Sequence, residues 1–319
     1  MRDVETIVVG GGPAGSALAA QLTRAGRECL VLERKPMPRV KLCAGWLRPK
    51  VLADLGIQAG DYPHGIRRLR QVKVIFGRRH RWSAVLSTEQ YSIRRIEFDD
   101  WLLRRAGAEV VQHTARRIER QDGRYVIDGQ YRSRYLVGAG GTACPVRHAL
   151  FDRPQGRLVL TREVEYACAP PRAMCTLWFP FACPSGYAWY VPKADAVNIG
   201  FGGYQAELAN WNPRGLWLEF LALLRAEGCL TPQVPDPQGH PYYLGDRRKT
   251  VKKDRAYLLG DAAGLATVDL AEGIGPAIES GVLAAKDILG EDVYSADKIT
   301  KYSLGPVTRL LRRLARIVP

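Results

Sequence analysis

The sequence has no apolar run long enough to cross a membrane and no pair of cysteines with the C-x-x-C spacing. The first absence argues against a transmembrane helix, which needs about 20 consecutive apolar residues. The second, with an odd total of seven cysteines at irregular spacing, argues against a zinc site and against a disulfide framework. No internal repeat or low-complexity linker is present. We therefore expect a globular protein of a reducing, cytoplasmic setting, without a metal site.

Acidic residues are few beside basic ones, 32 against 47 in 319 residues, which gives a formal net charge of +15. Such an excess favours an anionic partner, either an acidic protein or an anionic membrane surface. Nucleic acid is disfavoured because no recognised nucleic-acid module accompanies the arginine-rich runs. The segment 291–319 is predicted to be a basic helical tail that lies on the inner face of a membrane or docks on the body of the protein.

A glycine-rich turn follows the first predicted strand, in the segment TIVVGGGPAGSALAAQL. Gly10 permits a tight turn, Gly12 lets the backbone approach a pyrophosphate, and Gly15 allows close packing of helix on strand. Pro13 and Ala14 lie between these glycines, where the predicted helix begins. The N-terminus of that helix faces the phosphates of a bound nucleotide.

The next predicted strand, ECLVLER, ends at Glu33, and Arg34 follows it. An acid at this place accepts hydrogen bonds from the hydroxyls of an adenosine ribose. The order of strand, turn, helix, strand and acid predicts a dinucleotide site, but this half of the site does not distinguish NAD from FAD.

A second turn of small residues, GDAAG, ends another predicted strand near residue 260. Gly260 and Asp261 suit a second polyhydroxyl chain, such as the ribityl chain of FAD. Gly273, Ile274 and Gly275 then open a helix whose N-terminus stabilises negative charge on a reduced flavin. Two turns more than 200 residues apart therefore predict one long cofactor, FAD, held at both ends.

Three segments, GGGPAGS, GAGGTACPVR and GDAAG, resemble the FAD motifs of glutathione-reductase-type flavoproteins with the p-hydroxybenzoate hydroxylase fold. Gly140 stands where that family usually carries Asp, which weakens the case for an NAD(P)H-dependent hydroxylase. The segment SIRRIEFDD resembles the family's Arg-x-x-Phe-Asp helix. The resemblance implies that Arg95 reaches cofactor phosphate or ribityl oxygens, whereas composition alone favours a surface arginine.

Two further segments resemble the geranylgeranyl reductase family. KLCAGWL is similar to its Lys-x-Cys-Gly-Gly segment, with Ala44 in place of a glycine beside Cys43. SGYAWYVPKADAVNIGFGGY is similar to its Tyr-x-Trp-x-Phe-Pro segment, with Tyr187 and Trp189 present and Val191 in place of Phe. The resemblance implies a flavoprotein that acts on a prenyl-like substrate.

Three residues are candidates for contact with the reacting end of the substrate. Cys43 lies in a loop after the second strand and either donates a proton, forms a transient adduct, or fills space as a small thiol. Tyr187 and Trp189 alternate on one strand face, where they form either a flat wall for an apolar ligand or ordinary sheet core.

These patterns predict an α/β fold, in which a Rossmann-like FAD-binding domain carries an inserted, antiparallel, β-rich substrate domain. Residues 45–56 are predicted to form a helix that ends at Gly56. The predicted boundaries are 1–60, 95–150 and 246–290 for the FAD-binding domain, 61–94 and 151–245 for the substrate domain, and 291–319 for the tail.

The function expected from this sequence is FAD-dependent reduction of a carbon–carbon double bond in a hydrophobic, isoprenoid-like substrate. Reduced flavin would supply hydride, and an acidic electron-donor protein is the expected electron source. A flavin-dependent monooxygenase or halogenase that acts on an aromatic or polyketide-like substrate is the alternative. A non-catalytic FAD-binding protein, or a basic protein associated with nucleic acid, is the alternative of another class.

Overall fold

A computed structural model describes residues 1–77, 82–152, 156–208, 212–244 and 250–303. The apolar positions predicted for an amphipathic tail, Leu310, Leu311, Leu314 and Ile317, lie outside the described residues. Within the described ranges, none of the helices has the length and apolar character needed to span a membrane.

The chain forms two mixed sheets and six α-helices in its described part. The first sheet contains the strands β1 (Arg2–Val9), β2 (Cys29–Glu33), β6 (Glu109–Gln112), β7 (Ile118–Gln121), β8 (Arg124–Ile127), β9 (Tyr131–Gly138), β15 (Lys252–Lys253) and β16 (Ala256–Leu258). The second sheet contains β3 (Trp46–Leu47), β4 (Arg67–Phe76), β5 (Trp82–Ser92), β10 (Arg157–Ala167), β11 (Cys175–Phe179), β12 (Tyr187–Pro192), β13 (Ala196–Tyr204) and β14 (Gln238–Leu244). The helices are α1 (Pro13–Arg24), α2 (Pro49–Leu55), α3 (Arg95–Arg105), α4 (Pro145–Leu150), α5 (Pro213–Ala226) and α6 (Ile274–Leu289).

The first sheet has a parallel centre in the order β6-β2-β1-β9-β16. β1, α1 and β2 form the predicted βαβ unit, and all five residues of β2 are buried, as expected for a parallel strand covered on both faces. Both glycine-rich turns follow strands of this sheet at their carboxyl ends, where open α/β sheets bind ligands. The predicted Rossmann-like α/β fold is therefore confirmed.

The second sheet runs in the order β14-β10-β13-β12-β11-β4-β5-β3 and is mostly antiparallel. Alternate residues of its strands point to opposite faces. One face packs on α5 through a core that includes Tyr190, Phe201, Phe220 and Leu224. The other face looks toward the first sheet.

The helix predicted over residues 45–56 begins later than expected. Trp46 and Leu47 form β3, which pairs with β5 of the second sheet, and the helix starts at Pro49. A residue before proline is biased away from the α conformation, and Arg48 is extended, with φ of −83° and ψ of 152°. The helix ends at Gly56 in a left-handed conformation, as predicted. A short strand of the second sheet therefore lies within the segment 1–60 that was predicted to belong to the FAD-binding domain.

The helical tail predicted from residue 291 does not begin there. Residues 291–303 contain a single short 3₁₀ turn, Ala296–Lys298, and otherwise lack regular structure. They return to the loop before α6, where the buried carboxylate of Asp269 accepts a hydrogen bond from the backbone N–H of Ser303 at 2.8 Å. This part of the chain is therefore anchored by backbone contacts rather than by an amphipathic helix.

Helices α1 and α6 pack closely because small residues face each other along their contact. Gly281 lies so near α1 that a Cβ atom placed on it would be 2.3 Å from the backbone oxygen of Ala14 and 3.0 Å from the Cβ of Ala17. The glycine thus sets the distance between the two helices.

Replacing Gly281 with alanine tests this contact. Alanine should favour the helix by up to about 1 kcal/mol, but overpacking against backbone costs about 1–3 kcal/mol. We therefore expect a net loss of as much as about 2 kcal/mol in urea unfolding. Gly60→Ala is the control, because nothing lies within 4 Å of a Cβ at that position. Equal stability of the two variants would contradict the packing argument.

Candidate functional site

A cavity of about 750 Å³ lies between the two sheets and receives residues from both. It contains most of the predicted site residues, including Cys43, Tyr187 and Trp189. Two predicted cofactor residues, Gly15 and Gly275, do not line it. A Cβ on Gly15 would lie 2.0 Å from the backbone oxygen of Gly10, so Gly15 serves the packing of turn and helix. The predicted residues that line the cavity are Gly10, Gly12, Pro13, Ala14, Glu33, Arg34, Cys43, Ala44, Arg95, Gly140, Tyr187, Trp189, Gly260, Asp261, Gly273 and Ile274.

The first glycine-rich turn forms one end of the cavity. Gly10 has a φ of +112°, and a Cβ there would lie 2.5 Å from the backbone oxygen of Ala139. Gly12 begins α1 without a side-chain cap, which leaves the helix N-terminus open toward the cavity. Glu33 is held by the backbone N–H groups of Gly11 and Lys35, at 2.8 and 3.1 Å from its two carboxylate oxygens. This arrangement fits a pyrophosphate beside the helix and a ribose beside the acid.

The second turn forms another wall of the same cavity. Gly273 immediately precedes α6, and the carboxylate of Glu272 caps this helix by accepting a hydrogen bond from the backbone N–H of Gly275 at 2.6 Å. A Cβ on Gly273 would lie 3.3 Å from Oδ1 of Asp261, so the Asp261 carboxylate also lies close to the start of α6. The N-terminus of α1 therefore suits an anionic group of a cofactor, whereas the acid Asp261, on the cavity wall, suits a group with hydroxyl donors.

Arg95 is buried, with an exposed fraction of 7%, which excludes the surface position favoured by composition. It pairs with the fully buried Asp99 through two parallel hydrogen bonds of 2.6 and 2.8 Å. Arg39 also approaches Asp99, at 3.3 Å, and Glu33, at 3.5 Å. These two arginines line the cavity and form one charge-balanced cluster with the carboxylates of Asp99 and Glu33.

One face of the second sheet forms the apolar wall of the cavity. The register brings Leu177 of β11 beside Trp189 of β12, and Trp189 beside Gly200 of β13. Tyr187 lies with its ring centroid 5.5 Å from that of Trp189, and its hydroxyl donates to the backbone oxygen of Leu270 at 2.6 Å. The wall is largely aromatic, with the rings of Tyr187 and Trp189 inclined at 48° to each other.

Asn198 of β13 connects three elements of the site. Its Oδ1 accepts a hydrogen bond of 2.7 Å from the indole N–H of Trp189. Its Nδ2 donates to Oε2 of Glu163 at 3.2 Å and to the backbone oxygen of Cys43 at 3.3 Å. One buried amide therefore fixes the indole, a buried carboxyl group and the loop that carries Cys43.

Lys41 and His240 form a second polar pair at the cavity, with 2.5 Å between Nζ and Nε2. Burial, followed by the nearby Lys41, lowers the pKa of His240 to about 4. Burial also lowers the pKa of Lys41, an effect that Asp261 opposes. The imidazole is therefore neutral at neutral pH, and its Nε2 accepts the hydrogen bond from the ammonium group.

Gly140 lies two residues after the end of β9 and lines the cavity. A Cβ on this residue would be 3.2 Å from the Cα of Cys144 and 3.4 Å from the Cδ of Pro145. A side chain at this position would press on both neighbours, so the turn as built suits glycine.

Sequence reasoning missed several polar residues of the cavity. Thr161 and Glu163 lie two residues apart on β10, so both point to the same sheet face, and both line the cavity. This spacing of polar side chains in a predicted strand could have identified Glu163 from the sequence. Nothing local in the sequence indicates the pairing of Lys41 with His240, which are 199 residues apart. The missed residues are Arg39, Lys41, Glu163, Asn198, His240 and Tyr242.

Comparison with known proteins bears on the cofactor and the fold. Residues 3–289 match the family model described as FAD binding domain. The chain is 30% identical over 341 residues to digeranylgeranylglycerophospholipid reductase 1 of Methanopyrus kandleri, covering 94% of this chain and 85% of the relative.

Two solved structures share the fold. A geranylgeranyl bacteriochlorophyll reductase-like protein of Thermoplasma acidophilum superposes with a TM-score of 0.74 at 19% identity, covering 98% of this chain and 83% of that one. The myxobacterial chondrochloren halogenase superposes with a TM-score of 0.70 at 22% identity, covering 92% and 77%. At these identities the likeness concerns architecture alone.

Asp261→Ala tests the second turn. If Asp261 bonds the ribityl chain, losing a hydrogen bond from a charged group costs about 1.5–3 kcal/mol, or roughly 10- to 150-fold in the Kd for FAD. FAD titration of the apoprotein by fluorescence measures this. Asp292→Ala is the matched control, because Asp292 is exposed and pairs with Lys298 at the surface. Equal FAD affinity in the two variants would remove Asp261 from the cofactor site.

Proposed function

The chain belongs to the FAD-binding domain family and, within it, to the geranylgeranyl reductase group, and on this premise we propose that it reduces a carbon–carbon double bond of a hydrophobic, isoprenoid-like substrate. The cofactor is FAD, and the chain is an FAD-dependent oxidoreductase. The observation that carries the proposal is the aromatic face of the second sheet, which lines the same cavity as the open N-terminus of α1 and the turn that carries Asp261.

The composition of the wall supports an apolar substrate. Trp189 and Leu177 present apolar surface to the cavity, and the polar atoms of Trp189 and Tyr187 are used by Asn198 and by the backbone of Leu270. An apolar chain can therefore cover this wall without leaving a buried donor without an acceptor.

The chain's own residues account for binding and orientation. When bound, FAD supplies hydride transfer to and from a carbon centre. Asp261 and the turn before α6 would hold the end of the cofactor that carries the ribityl chain and flavin. Cys43 lines the same cavity, where it would contact the reacting end of the substrate.

The alternative function is a flavin-dependent monooxygenase or halogenase, in agreement with the architecture shared with the chondrochloren halogenase. Gly140 argues against the hydroxylase branch, since the Asp expected there is absent and its place is crowded. The choice between reductase and oxygenase is open to direct measurement.

Anaerobic reduction kinetics separate the two functions. We expect slow or absent reduction of the flavin by NADPH, and faster reduction by dithionite or by an acidic, low-potential electron-donor protein. The net charge of +15 should steer such a donor, so its rate should fall as salt rises. Under nitrogen, the reduced protein should reoxidise when a prenyl alkene is added and yield a product with two more hydrogens.

Rapid reduction by NADPH together with an oxygen-bearing product that requires O₂ would replace the reductase with the monooxygenase. A photoreduced sample, which needs no donor protein, serves as the control for the donor's own chemistry.

Cys43→Ala tests the contact of this thiol with the substrate. We expect the variant to keep FAD and its absorption spectrum but to lose most turnover, measured with the same alkene. Cys29→Ala is the matched control, because Cys29 is buried in β2 at a distance from the cavity wall and should affect stability alone. Full activity of the Cys43 variant would assign Cys43 to packing.

A further inference from the structure

Glu163 is a buried carboxyl group on the cavity wall, separate from the groups that contact the cofactor turns. It lies on β10 with an exposed fraction of 4%, on the sheet face that carries Trp189. In the part of the chain that the structure describes, its single hydrogen-bond donor is Asn198, which bonds one of its two oxygens. A carboxylate in such a place would be poorly solvated, which favours the protonated acid.

The backbone is built to bring Glu163 and Trp189 together. The register places Glu163 directly opposite Gly200, and Gly200 directly opposite Trp189. A Cβ on Gly200 would lie 2.5 Å from the Cβ of Glu163 and 2.6 Å from Cζ2 of Trp189. Glycine in the middle strand therefore leaves room for the side chains of Glu163 and Trp189 to approach each other across β13, and both line the cavity.

The charges that face Glu163 come from several elements. Burial raises the pKa of Glu163 to about 7, against the opposing effects of Asn198 on β13, Lys193 after β12 and Lys41 in the loop after β2. Glu165 on the same strand raises it slightly, and Tyr242 of β14 faces it as a protonated phenol whose pKa burial raises. Because Lys193 also pairs with Glu165, its charge is shared between the two carboxyl groups. The balance leaves Glu163 able to hold and release a proton at neutral pH.

We propose that Glu163 is the proton donor of the reaction, giving its proton to one carbon of the substrate double bond while the neighbouring carbon receives hydride. The inference depends on the proposed function. The π bond breaks, two C–H bonds form, and the alkene gains two electrons, which the reduced cofactor loses. The O–H bond of Glu163 breaks, and the resulting carboxylate regains a proton from water.

Asn198 has a positioning role in this proposal. It donates to Oε2 of Glu163 and to the backbone oxygen of Cys43, so the acid and the loop with the thiol keep one geometry relative to the indole. The proton donor and the substrate contact are thereby separate groups. Cys43 touches the substrate, and Glu163 supplies the proton.

The first test needs no turnover. Infrared difference spectroscopy of the oxidised, FAD-bound protein should show the carbonyl stretch of a protonated carboxyl group, shifted in D₂O and titrating with a midpoint near 7. Glu163→Gln should remove this band. Glu279→Gln should retain it, because Glu279, although buried, accepts hydrogen bonds from Thr300 and Arg48 and does not line the cavity. A band that persists in Glu163→Gln, or no band in the parent protein, would overturn the proposal.

The second test uses the reduced protein under nitrogen and a prenyl diphosphate with isolated double bonds. Glu163→Gln should lower the rate of alkene reduction by about 10²- to 10⁴-fold and abolish the fall in rate as pH rises through about 7, with FAD affinity and flavin reduction unchanged. Glu163→Asp should recover part of the rate, and the exposed Glu219→Gln should behave as the parent.

The two tests separate the possible failures. Parent-like rate and pH profile in Glu163→Gln would overturn the proposal while leaving alkene reduction in place. If the parent reduces no alkene but shows the titrating band, the proposed function fails and proton donation to an alkene fails with it, whereas the protonated state of Glu163 stands.

Discussion

The contact between α1 and α6 is the constraint on which the site depends. Both helices begin at glycine-rich turns that line the same cavity; the N-terminus of α1 has no side-chain cap, whereas the carboxylate of Glu272 caps that of α6. They can lie this close because Gly281 allows the backbone oxygen of Ala14 to approach where a Cβ would otherwise stand. The two turns therefore have a fixed separation, and a cofactor that contacts both binds to a surface that is already formed.

The opposite wall follows a different physical rule. Its apolar surface comes from alternate residues of several strands, and several of its polar groups bond to one another. Asn198 satisfies the indole of Trp189 and one oxygen of Glu163 within the sheet itself. The helix side thus offers contacts to the cofactor, and the sheet side supplies apolar area together with the buried carboxyl group of Glu163. This division suits a reaction in which a charged cofactor meets an uncharged carbon chain.

Local sequence patterns predicted the cofactor half of the site and only part of the substrate half. The turns at Gly10 and Gly260 are recognised by the spacing of their small residues. The strands, helices and acids around them can be assigned without tertiary information. The partners of Asn198 and the pairing of Lys41 with His240 arise from strand register and from loops distant in sequence, which no local period encodes. The predicted start of α2 was too early. A residue before proline avoids the α conformation, and at Arg48, before Pro49, this preference outweighs the helix-favouring residues nearby. Residues 291–303, the described part of the predicted tail, take an irregular path because buried hydrogen bonds to Asp269 hold Ser303 there.

The alternation along β10 also limits how this protein can change during evolution. Glu163 faces the cavity, and the next residue, Val164, belongs to the core against α5. Substitutions at cavity-facing positions can alter the ligand while the core stays intact, so the wall can diverge one residue at a time. Insertion or deletion of one residue in the strand would exchange its cavity-facing and core-facing residues, placing a carboxyl group in the core and a valine in the cavity. Families with this architecture should therefore diversify through point substitutions in these strands and confine length variation to the connecting loops.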